Sequence, residues 1–600
     1  GLGWEAWLLP LVIVAPGFGF ARRWRQTVDD SLLGLVVDMA WVGMAISWLN
    51  VALVRELGIA PAHQAAVLVG LAVLWFALGF VWGRKHGRPR TLALGERLGG
   101  GAVLLAVLLL SLWRSHDIAR PLHGHWYMDG ADAWLHEALP IKAEGATQHG
   151  WPDAGAFSVV PSGGEVVLLA EGQATGRLIL AAQGPTGTRL RVGEQSVEVQ
   201  ASVTEQPSEG AVRRYLKHGV AGLGVDVDLA PGETLSLATD ADRVFVMPGA
   251  DAVWSLHAAG DLRFVHYYQL LNQVENQVWA QEMLQDRWAT LNQPPGWSPL
   301  LSIATVLLVD DMQSAAWLFL WVLVLVGLSA VRLGVVLAPR AHPLSMLIPA
   351  GMVLSHGLLM FEPGSYNFPD SLYAAAVLAV ALAVAEQRLG WIAWMGVAAG
   401  LLRWPGVVLS SIMVLVYWRL FRVQPWPALR RLWQLVAVGA VLAVIGSLAG
   451  KLDDLLFILY FETFPEHWHG DYAPDHLIPR VPGFYALWTA YTGGGLLFAL
   501  TACWSEDGPS RRALRWLMAV AGVYSAMLAS IDHHPTHYFL PLVALTGVAV
   551  ICASSSYRST VLRWVVPVLT LIGLWLFLWF GDVGLQPVED MVVWFGELLA

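Results

Sequence analysis

Long runs of apolar side chains recur along almost the whole chain, and no other feature limits its fold as strongly. A helix needs roughly 20 consecutive apolar residues to cross the hydrocarbon core of a bilayer. Of the 600 residues, 56% are hydrophobic and only 14% are charged, whereas soluble domains carry about 25% charged residues. The composition excludes an ordinary soluble protein and leaves no expectation of a nucleic-acid partner. It predicts a polytopic all-α membrane protein.

Hydropathy predicts about fourteen transmembrane helices, in two groups separated by a long polar region. The predicted spans are 6–20, 31–54, 65–84, 99–113, 314–336, 343–361, 369–386, 390–402, 405–420, 432–450, 484–503, 514–531, 538–555 and 561–581. The two spans within 390–420 are short, and they predict a tight helical hairpin.

The arginines indicate how the chain is oriented, because short cytoplasmic loops carry an excess of Lys and Arg. Basic groups fall in alternate predicted loops, so one orientation accounts for all of them. They lie at 22–25, 84–97, 332–340, 419–431, 511–515 and 558–563. Both termini and the polar region 115–297 are then predicted to be extracytoplasmic. Only four of the 36 basic residues are Lys, a bias typical of a GC-rich bacterium, and the predicted location is the bacterial cytoplasmic (inner) membrane.

The polar region contains short runs of β-forming residues, several of which alternate apolar and polar side chains. The runs are EVVLLAEG, GRLILAAQ, TRLRVGEQSVEVQA, GLGVDVDLA, ETLSLATD and DRVFVMPG, with Gly, Pro or Asp between them. Six to eight strands in about 105 residues predict an inserted extracytoplasmic β-sandwich, of jelly-roll type. The stretch RFVHYYQLLNQVENQVWAQEML that follows predicts an amphipathic helix at the membrane interface.

These patterns divide the chain into five parts. They are 1–98, additional N-terminal transmembrane helices; 99–154, the first core helix and first outer loop; 155–260, the β-sandwich; 261–297, the interfacial helix; and 298–600, the remaining transmembrane core.

Titratable side chains gather in predicted outer loops, where charges near a bilayer mark a candidate site. The loop HGHWYMDGADAWLHEALP follows directly from a predicted span. If this loop is helical, Asp132 and His136 lie one turn apart on the same face. Other polar stretches on the same side are FEPGSYNFPD, FETFPEHWHGDYAPDH and IDHHPTH, together with Arg403 at the turn of the short hairpin.

Each of these residues also has a simpler interpretation. Asp370 begins a predicted helix and could act only as an N-terminal capping group. Arg403 could bind a lipid phosphate as well as a substrate phosphate. The spacings of His467 with His469, and of His533 and His534 with His537, suit a divalent metal, although the two loops are far apart in the sequence and the cofactor stays unknown.

Four stretches resemble the GT-C superfamily of polytopic membrane glycosyltransferases, especially bacterial members of the protein mannosyltransferase and aminoarabinose transferase group. They are DAWLHE (132–137), NQPPGWSPLLSIATVLLVDD (292–311), YNFPDSLYAAAVLAVALAVAEQRLGWIAWMGVAAGLLRWPG (366–406) and HHPTHYFLPLVAL (533–545). The resemblance covers roughly 99–581. The chain departs from the family pattern in having Ala133 where a second acidic residue is common, in the inserted β region and in three extra N-terminal spans.

The resemblance implies transfer of a sugar from a polyprenyl-phosphate donor to an extracytoplasmic glycan, lipid or protein acceptor. A positioned carboxylate would take the acceptor's proton, and Asp132 is the residue expected to do so, with Asp129 second. Positive charge and hydrogen-bond donors would stabilise the leaving phosphate. The expected substrate-binding residues are His136, Glu137, Glu362, Tyr366, Asp370, Arg403, His467, His469, His533, His534 and His537.

Two other function classes stay open. The chain could be a non-catalytic GT-C-like scaffold that holds membrane protein partners, since the second acidic residue is missing. It could also be a transporter of lipid-linked sugars. A transporter would be expected to carry ionisable residues in mid-membrane and repeated halves, whereas the sequence has few charges at mid-span and no evident internal symmetry.

Overall fold

The computed structural model describes a helical body and a region of two β-sheets. The described residues are 7–25, 31–83, 92–119, 139–143, 147–148, 157–159, 161–183, 187–198, 220–241, 243–247, 296–308, 311–361, 369–403, 405–448, 484–504, 508–529, 536–557 and 559–581.

The helical body consists of many helices, several of which are joined by short described turns, such as 386–388 and 422–425. The α-helices are α1 (Leu8–Ile13), α2 (Phe18–Arg25), α3 (Leu32–Glu56), α4 (Pro61–Gly83), α5 (Leu94–Ala119), α6 (Ser298–Leu308), α7 (Asp311–Leu337), α8 (Leu347–Phe361), α9 (Asp370–Ala385), α10 (Leu389–Leu402), α11 (Pro405–Phe421), α12 (Trp426–Leu448), α13 (Gly495–Ala502), α14 (Pro509–Ala529), α15 (Leu540–Ser556) and α16 (Thr560–Gly581). Short 3-10 helices occur at Ala15–Gly17, Pro343–Met346 and Thr536–Phe539, and 484–491 is also helical.

The length and composition of these helices agree with a helical membrane protein. Four helical segments among the described residues are long and apolar enough to cross a bilayer, namely Leu32–Glu56, His63–Gly83, Trp317–Leu337 and Trp426–Ile445. Shorter apolar helices accompany them, including α9, α10, α11 and α15. The short pair predicted at 390–402 and 405–420 is present as α10 and α11.

Two of the predicted spans are interrupted. The span predicted at 6–20 is divided into α1 and α2 by the 3-10 helix Ala15–Gly17, because Pro16 lacks the N–H that a continuous helix requires. The span predicted at 484–503 is divided before α13, where Gly493 and Gly494 have φ of +55° and +76°. These left-handed values favour glycine, and hydropathy alone does not reveal such breaks.

Helix α9 lies at the centre of the helical body. All of its residues from Asp370 to Val384 are buried, and α9 packs against α7, α10 and α15. Its many alanines allow neighbouring helices to approach closely. Charged groups lie at both ends of α9, and because α9 is buried they are enclosed by protein. Asp370 lies at its start and Glu386 directly follows its end.

All six sequence runs identified as strands are strands in the structure. The strands are β1 (Ile141–Ala143), β2 (Thr147–Gln148), β3 (Phe157–Val159), β4 (Glu165–Ala170), β5 (Ala174–Gln183), β6 (Arg189–Val192), β7 (Gln195–Glu198), β8 (Val220–Leu229), β9 (Thr234–Thr239) and β10 (Arg243–Met247). Two of them precede residue 155, the predicted start of this region, and pair with later strands.

The strands form two five-stranded antiparallel sheets, ordered β1-β4-β9-β6-β7 and β2-β3-β10-β5-β8. Burial alternates along β4 and β6, as expected when one face of a sheet is covered. Residues of both sheets, such as Leu168 and Leu237 in one and Leu180 and Val244 in the other, belong to a single hydrophobic core. The predicted interfacial helix at 261–297 lies outside the described residues, except for its last two positions.

Candidate functional site

Two of the predicted site residues, Asp370 and Arg403, are described and bind each other. The side chains of the others lie outside the described residues, so their predicted roles stay predictions. These are Asp129, Asp132, His136, Glu137, Glu362, Tyr366, His467, His469, His533, His534 and His537, of which His537 has a described backbone in the 3-10 helix Thr536–Phe539.

The chain path brings Asp370 and Arg403 together. Asp370 is the first residue of α9, with Pro369 at the N-cap. Helix α10 ends at Leu402, and Arg403 has extended backbone angles between this helix and α11, which begins at Pro405. Because α9 and α10 are joined by a turn of only three residues, 386–388, the start of α9 lies beside the end of α10.

The contact between the two side chains is bidentate. Arg403 Nε donates to Asp370 Oδ1 at 3.0 Å, and Nη2 donates to Oδ2 at 2.5 Å. A paired fork of this kind is among the stronger hydrogen-bonded contacts that proteins form. Both carboxylate oxygens are engaged by the guanidinium, so Asp370 does more than cap a helix.

Tyrosines surround the pair. Arg403 Cζ lies 5.5 Å from the centroid of the Tyr538 ring, a distance at which a cation and an aromatic face attract each other. Tyr373 and Tyr524 are buried, their ring centroids are 6.1 Å apart, and both interact electrostatically with Asp370 and Arg403. The pair therefore has an aromatic and phenolic environment drawn from α9, α14 and the 3-10 helix Thr536–Phe539.

Gly296, the first described residue before α6, also lies near the pair. The Gly296 N–H donates to the carbonyl of Leu401 at 2.7 Å, two residues before Arg403. A Cβ at Gly296 would lie 2.4 Å from that carbonyl oxygen, so only glycine permits this approach. Trp297 follows and is buried. Described residues of the stretches 292–311, 366–406 and 533–545, which the sequence identified separately, thus lie together at one end of α9.

The electrostatics of the pair limit what Arg403 can do. Asp370 is only 2% exposed and Arg403 is 17% exposed at the side chain. The buried carboxylate neutralises the guanidinium, which would otherwise be costly to enclose. A guanidinium carries five N–H donors, and the contact with Asp370 uses two of them. A phosphate at Arg403 would share the guanidinium with Asp370 or displace it.

A second polar cluster, which the sequence did not reveal, lies at the opposite ends of α9 and α10. It consists of three arginines and three carboxylates, all nearly buried, and is called the ion cluster below. Its members are Arg25, Asp38, Glu96, Arg332, Glu386 and Arg388.

Glu386 lies at the centre of the ion cluster. Its Oε1 is 2.8 Å from Arg25 Nη2 and 3.3 Å from Arg332 Nη2, and its Oε2 is 3.5 Å from Arg388 Nη1. Asp38 Oδ2 is 2.8 Å from Arg388 Nη1 and 3.6 Å from Arg25 Nη1.

The remaining carboxylate extends the ion cluster to α5 and α7. Glu96 Oε1 is 2.6 Å from Arg332 Nη1. Because Arg25 and Asp38 belong to α2 and α3, the ion cluster ties the additional N-terminal helices to the turn between α9 and α10. At that turn Gln387 has φ of +55°, a value that non-glycine residues rarely adopt.

No group of three or more His, Cys, Asp or Glu able to hold a metal occurs among the residues that the structure describes. The side chains of the histidines whose spacing suits a divalent metal lie outside them, so the cofactor stays unknown.

No protein-family model matches the chain, and no curated protein sequence is significantly similar to it. The likeness to GT-C enzymes therefore rests on the sequence motifs alone.

Proposed function

We propose that the chain is a membrane glycosyltransferase that moves a sugar from a polyprenyl-phosphate donor to an extracytoplasmic acceptor. The observation that carries this proposal is the convergence, at one end of α9, of three of the four stretches that resemble GT-C enzymes. There a partly exposed arginine lies among tyrosines, in a body of apolar helices where a prenyl chain could be accommodated between helices and lipid.

Arg403 is the group proposed to bind the donor phosphate. Arginine matches the geometry of phosphate oxygens through its paired N–H donors. In the absence of donor, Asp370 holds the guanidinium in place and compensates its charge. When the donor binds, its phosphate compensates part of the charge of the guanidinium in place of Asp370. The tyrosines near the pair then supply hydroxyl donors to the phosphate or to the sugar.

Asp132 is proposed as the general base, with Asp129 as the second choice. The acceptor hydroxyl attacks the anomeric carbon of the donor sugar while its proton passes to the carboxylate. The bond between the anomeric carbon and the phosphate oxygen breaks, and polyprenyl phosphate leaves with both electrons. General base catalysis of this kind typically contributes about 10²- to 10⁴-fold to the rate.

The location and the finer architecture belong to the same proposal. We infer about fourteen transmembrane helices in the inner membrane of a bacterium, with both termini and the β region on the extracytoplasmic side. The two sheets are inferred to form a β-sandwich beside the site, where it would bind the acceptor or cover the reacting groups. The Asp370–Arg403 pair would then lie on the extracytoplasmic side and the ion cluster on the cytoplasmic side.

The proposal is tested by reconstituting the full chain in liposomes with polyprenyl-phosphate-linked hexoses and pentoses, adding a bacterial cell-envelope extract as the source of glycan, lipid and protein acceptors, and measuring release of free polyprenyl phosphate that depends on the extract. Asp132→Asn is expected to lower the rate at least 100-fold while the protein stays folded. Glu194→Gln, which changes an exposed residue of the β region, is expected to leave the rate unchanged. If Asp132→Asn turns over the donor at the normal rate, Asp132 is not the general base.

One observation favours a second function, that of a non-catalytic scaffold. Arg403 is already neutralised by Asp370, as it would be if the pair served only to join α9 and α10. A scaffold would turn over none of the donors, and it would retain a membrane protein partner when purified in mild detergent. The loss of that partner on removal of the β region would distinguish it from an enzyme.

A further inference from the structure

Five exposed arginines lie where α11 ends, where α12 begins and where α14 begins. They are called the arginine patch and comprise Arg419, Arg422, Arg430, Arg431 and Arg512. Only four residues, 422–425, separate α11 from α12. Arg512 Cζ lies 5.6 Å from the centroid of the Phe421 ring, which places α14 against the end of α11. The three elements therefore present their arginines at one surface.

The arginine patch has little negative charge to balance it within its own helices. The sequence from 387 to 448, which includes α11 and α12, contains no Asp or Glu, and α14 contains none either, although Glu506 and Asp507 precede it. By contrast, the arginines of the ion cluster are buried against carboxylates. The side chains of the arginine patch are exposed, so their charge is available to an anion from outside the chain.

Arg422 has an unusual backbone conformation. Its φ is +59°, in the left-handed region where a helix commonly ends with glycine. Its N–H donates to the Trp418 carbonyl at 2.7 Å and closes the last turn of α11. A residue with a Cβ adopts this conformation only at a cost. Strained positions of this kind are concentrated at functional sites, and here the strained residue lies in the middle of the arginine patch.

The face of α12 next to the patch is apolar and exposed. Trp426, Arg430 and Trp433 follow one another at i, i+4 and i+7 on one helix face, and the tryptophans are 68% and 49% exposed. Further along, Val441 and Leu442 are also exposed. Tryptophan favours the level of the lipid headgroups, and aliphatic side chains favour the acyl region. Along α12 the tryptophans therefore come before the aliphatic side chains, in the same order as the headgroup and the acyl chain of a phospholipid lying beside the helix.

We propose that the arginine patch and the exposed face of α12 form a binding site for an anionic phospholipid of the surrounding leaflet. The phosphate would lie among Arg422, Arg430 and Arg431, and an acyl chain would lie along α12 below Trp433. The apolar face favours a lipid over an acidic peptide, which would need no aliphatic surface. The proposal is independent of the glycosyltransferase activity.

The site is tested by titrating the detergent-solubilised full chain with phosphatidylglycerol and counting bound lipids by native mass spectrometry. An arginine near an anionic lipid surface contributes on the order of 1 kcal/mol, or about 5-fold in affinity. The triple variant Arg422→Gln/Arg430→Gln/Arg431→Gln is therefore expected to bind phosphatidylglycerol about 100-fold more weakly. The control Arg340→Gln, which removes an exposed arginine outside the patch, is expected to bind normally.

Several outcomes would overturn the proposal. Phosphatidylcholine could bind as tightly as phosphatidylglycerol, or the triple variant could retain its affinity within about 3-fold. Binding of polyglutamate in place of phosphatidylglycerol would assign the patch to an acidic protein. If the triple variant does not fold, the wild-type chain decides. In that case the affinity of the wild-type chain for phosphatidylglycerol is measured as the salt concentration is raised from 50 mM to 500 mM. The affinity is expected to decrease, because salt screens exposed charges. An affinity independent of salt would contradict the site.

Discussion

Neutralising Glu386 is expected to destabilise the protein strongly, because this carboxylate contacts three arginines of the ion cluster. In Glu386→Gln the 2.8 Å and 3.3 Å contacts to Arg25 and Arg332 lose their charge. The buried cluster then changes from three positive and three negative groups to an excess of one positive charge. Removing one partner of a buried ion pair costs about 3–5 kcal/mol, since the remaining charge is left uncompensated. We expect a loss of this size in the free energy of unfolding.

The free energy of unfolding can be measured by adding SDS to the protein in mild detergent micelles and following tryptophan fluorescence. Glu171→Gln is a matched control, because Glu171 pairs with Lys142 at 3.4 Å with side chains that are 56% and 68% exposed. Exposed pairs contribute at most about 1 kcal/mol, so the control is expected to differ little from the wild type.

A double-mutant cycle separates the ion pair from the packing of its side chains. Arg25→Met and Glu386→Leu are each expected to be destabilising, whereas the double variant should be less destabilised than their sum by about 0.5–3 kcal/mol. If Glu386→Gln costs no more than Glu171→Gln, or if the cycle is additive, the ion cluster does not hold α2 and α3 to the core.

Two glycine substitutions test close approaches in the fold. Gly34→Ala would place a Cβ 2.1 Å from Arg25 Cζ and is expected to displace the guanidinium and lower the thermal midpoint, whereas Gly70→Ala, with no atom within 4 Å, should be neutral or slightly stabilising. Gly493→Ala and Gly494→Ala both meet a positive φ, but only Gly493 faces backbone atoms of α16, at 2.6 and 2.7 Å. We therefore expect Gly493→Ala to lower the thermal midpoint more than Gly494→Ala does. Equal effects of the two substitutions would contradict the close approach of Gly493 to α16.

Much of the architecture can be predicted from the sequence, because hydropathy and alternation report directly on burial. Most helix positions and all six strand runs follow from these two patterns. The breaks at Pro16 and Gly493 do not follow, since a short interruption hardly changes the hydropathy of a window. The strands before residue 155 were missed because β1 and β2 are only three and two residues long, too short to display alternation.

The Asp370–Arg403 contact was only partly predictable. Sequence placed both residues on the same side of the membrane and near helix ends, but a direct pair requires knowledge that α9 and α10 lie side by side. The ion cluster could be predicted even less, because its six members are drawn from five separate parts of the chain. Three of its members, Asp38, Arg332 and Glu386, fall within predicted spans, where a charged side chain needs a buried partner, but the sequence does not show which charges pair.

Arg403 is proposed to bind the phosphate of a polyprenyl donor, and equilibrium binding of polyprenyl phosphate to the full chain tests this role most directly. Loss of a hydrogen bond to a charged group costs about 1.5–3 kcal/mol, so Arg403→Gln is expected to bind roughly 10- to 150-fold more weakly than the wild type. Asp370→Asn is expected to bind more tightly, because the phosphate no longer competes with the Asp370 carboxylate for the guanidinium. If the wild type does not bind polyprenyl phosphate, or if Arg403→Gln binds it equally well, the donor site is not at this pair.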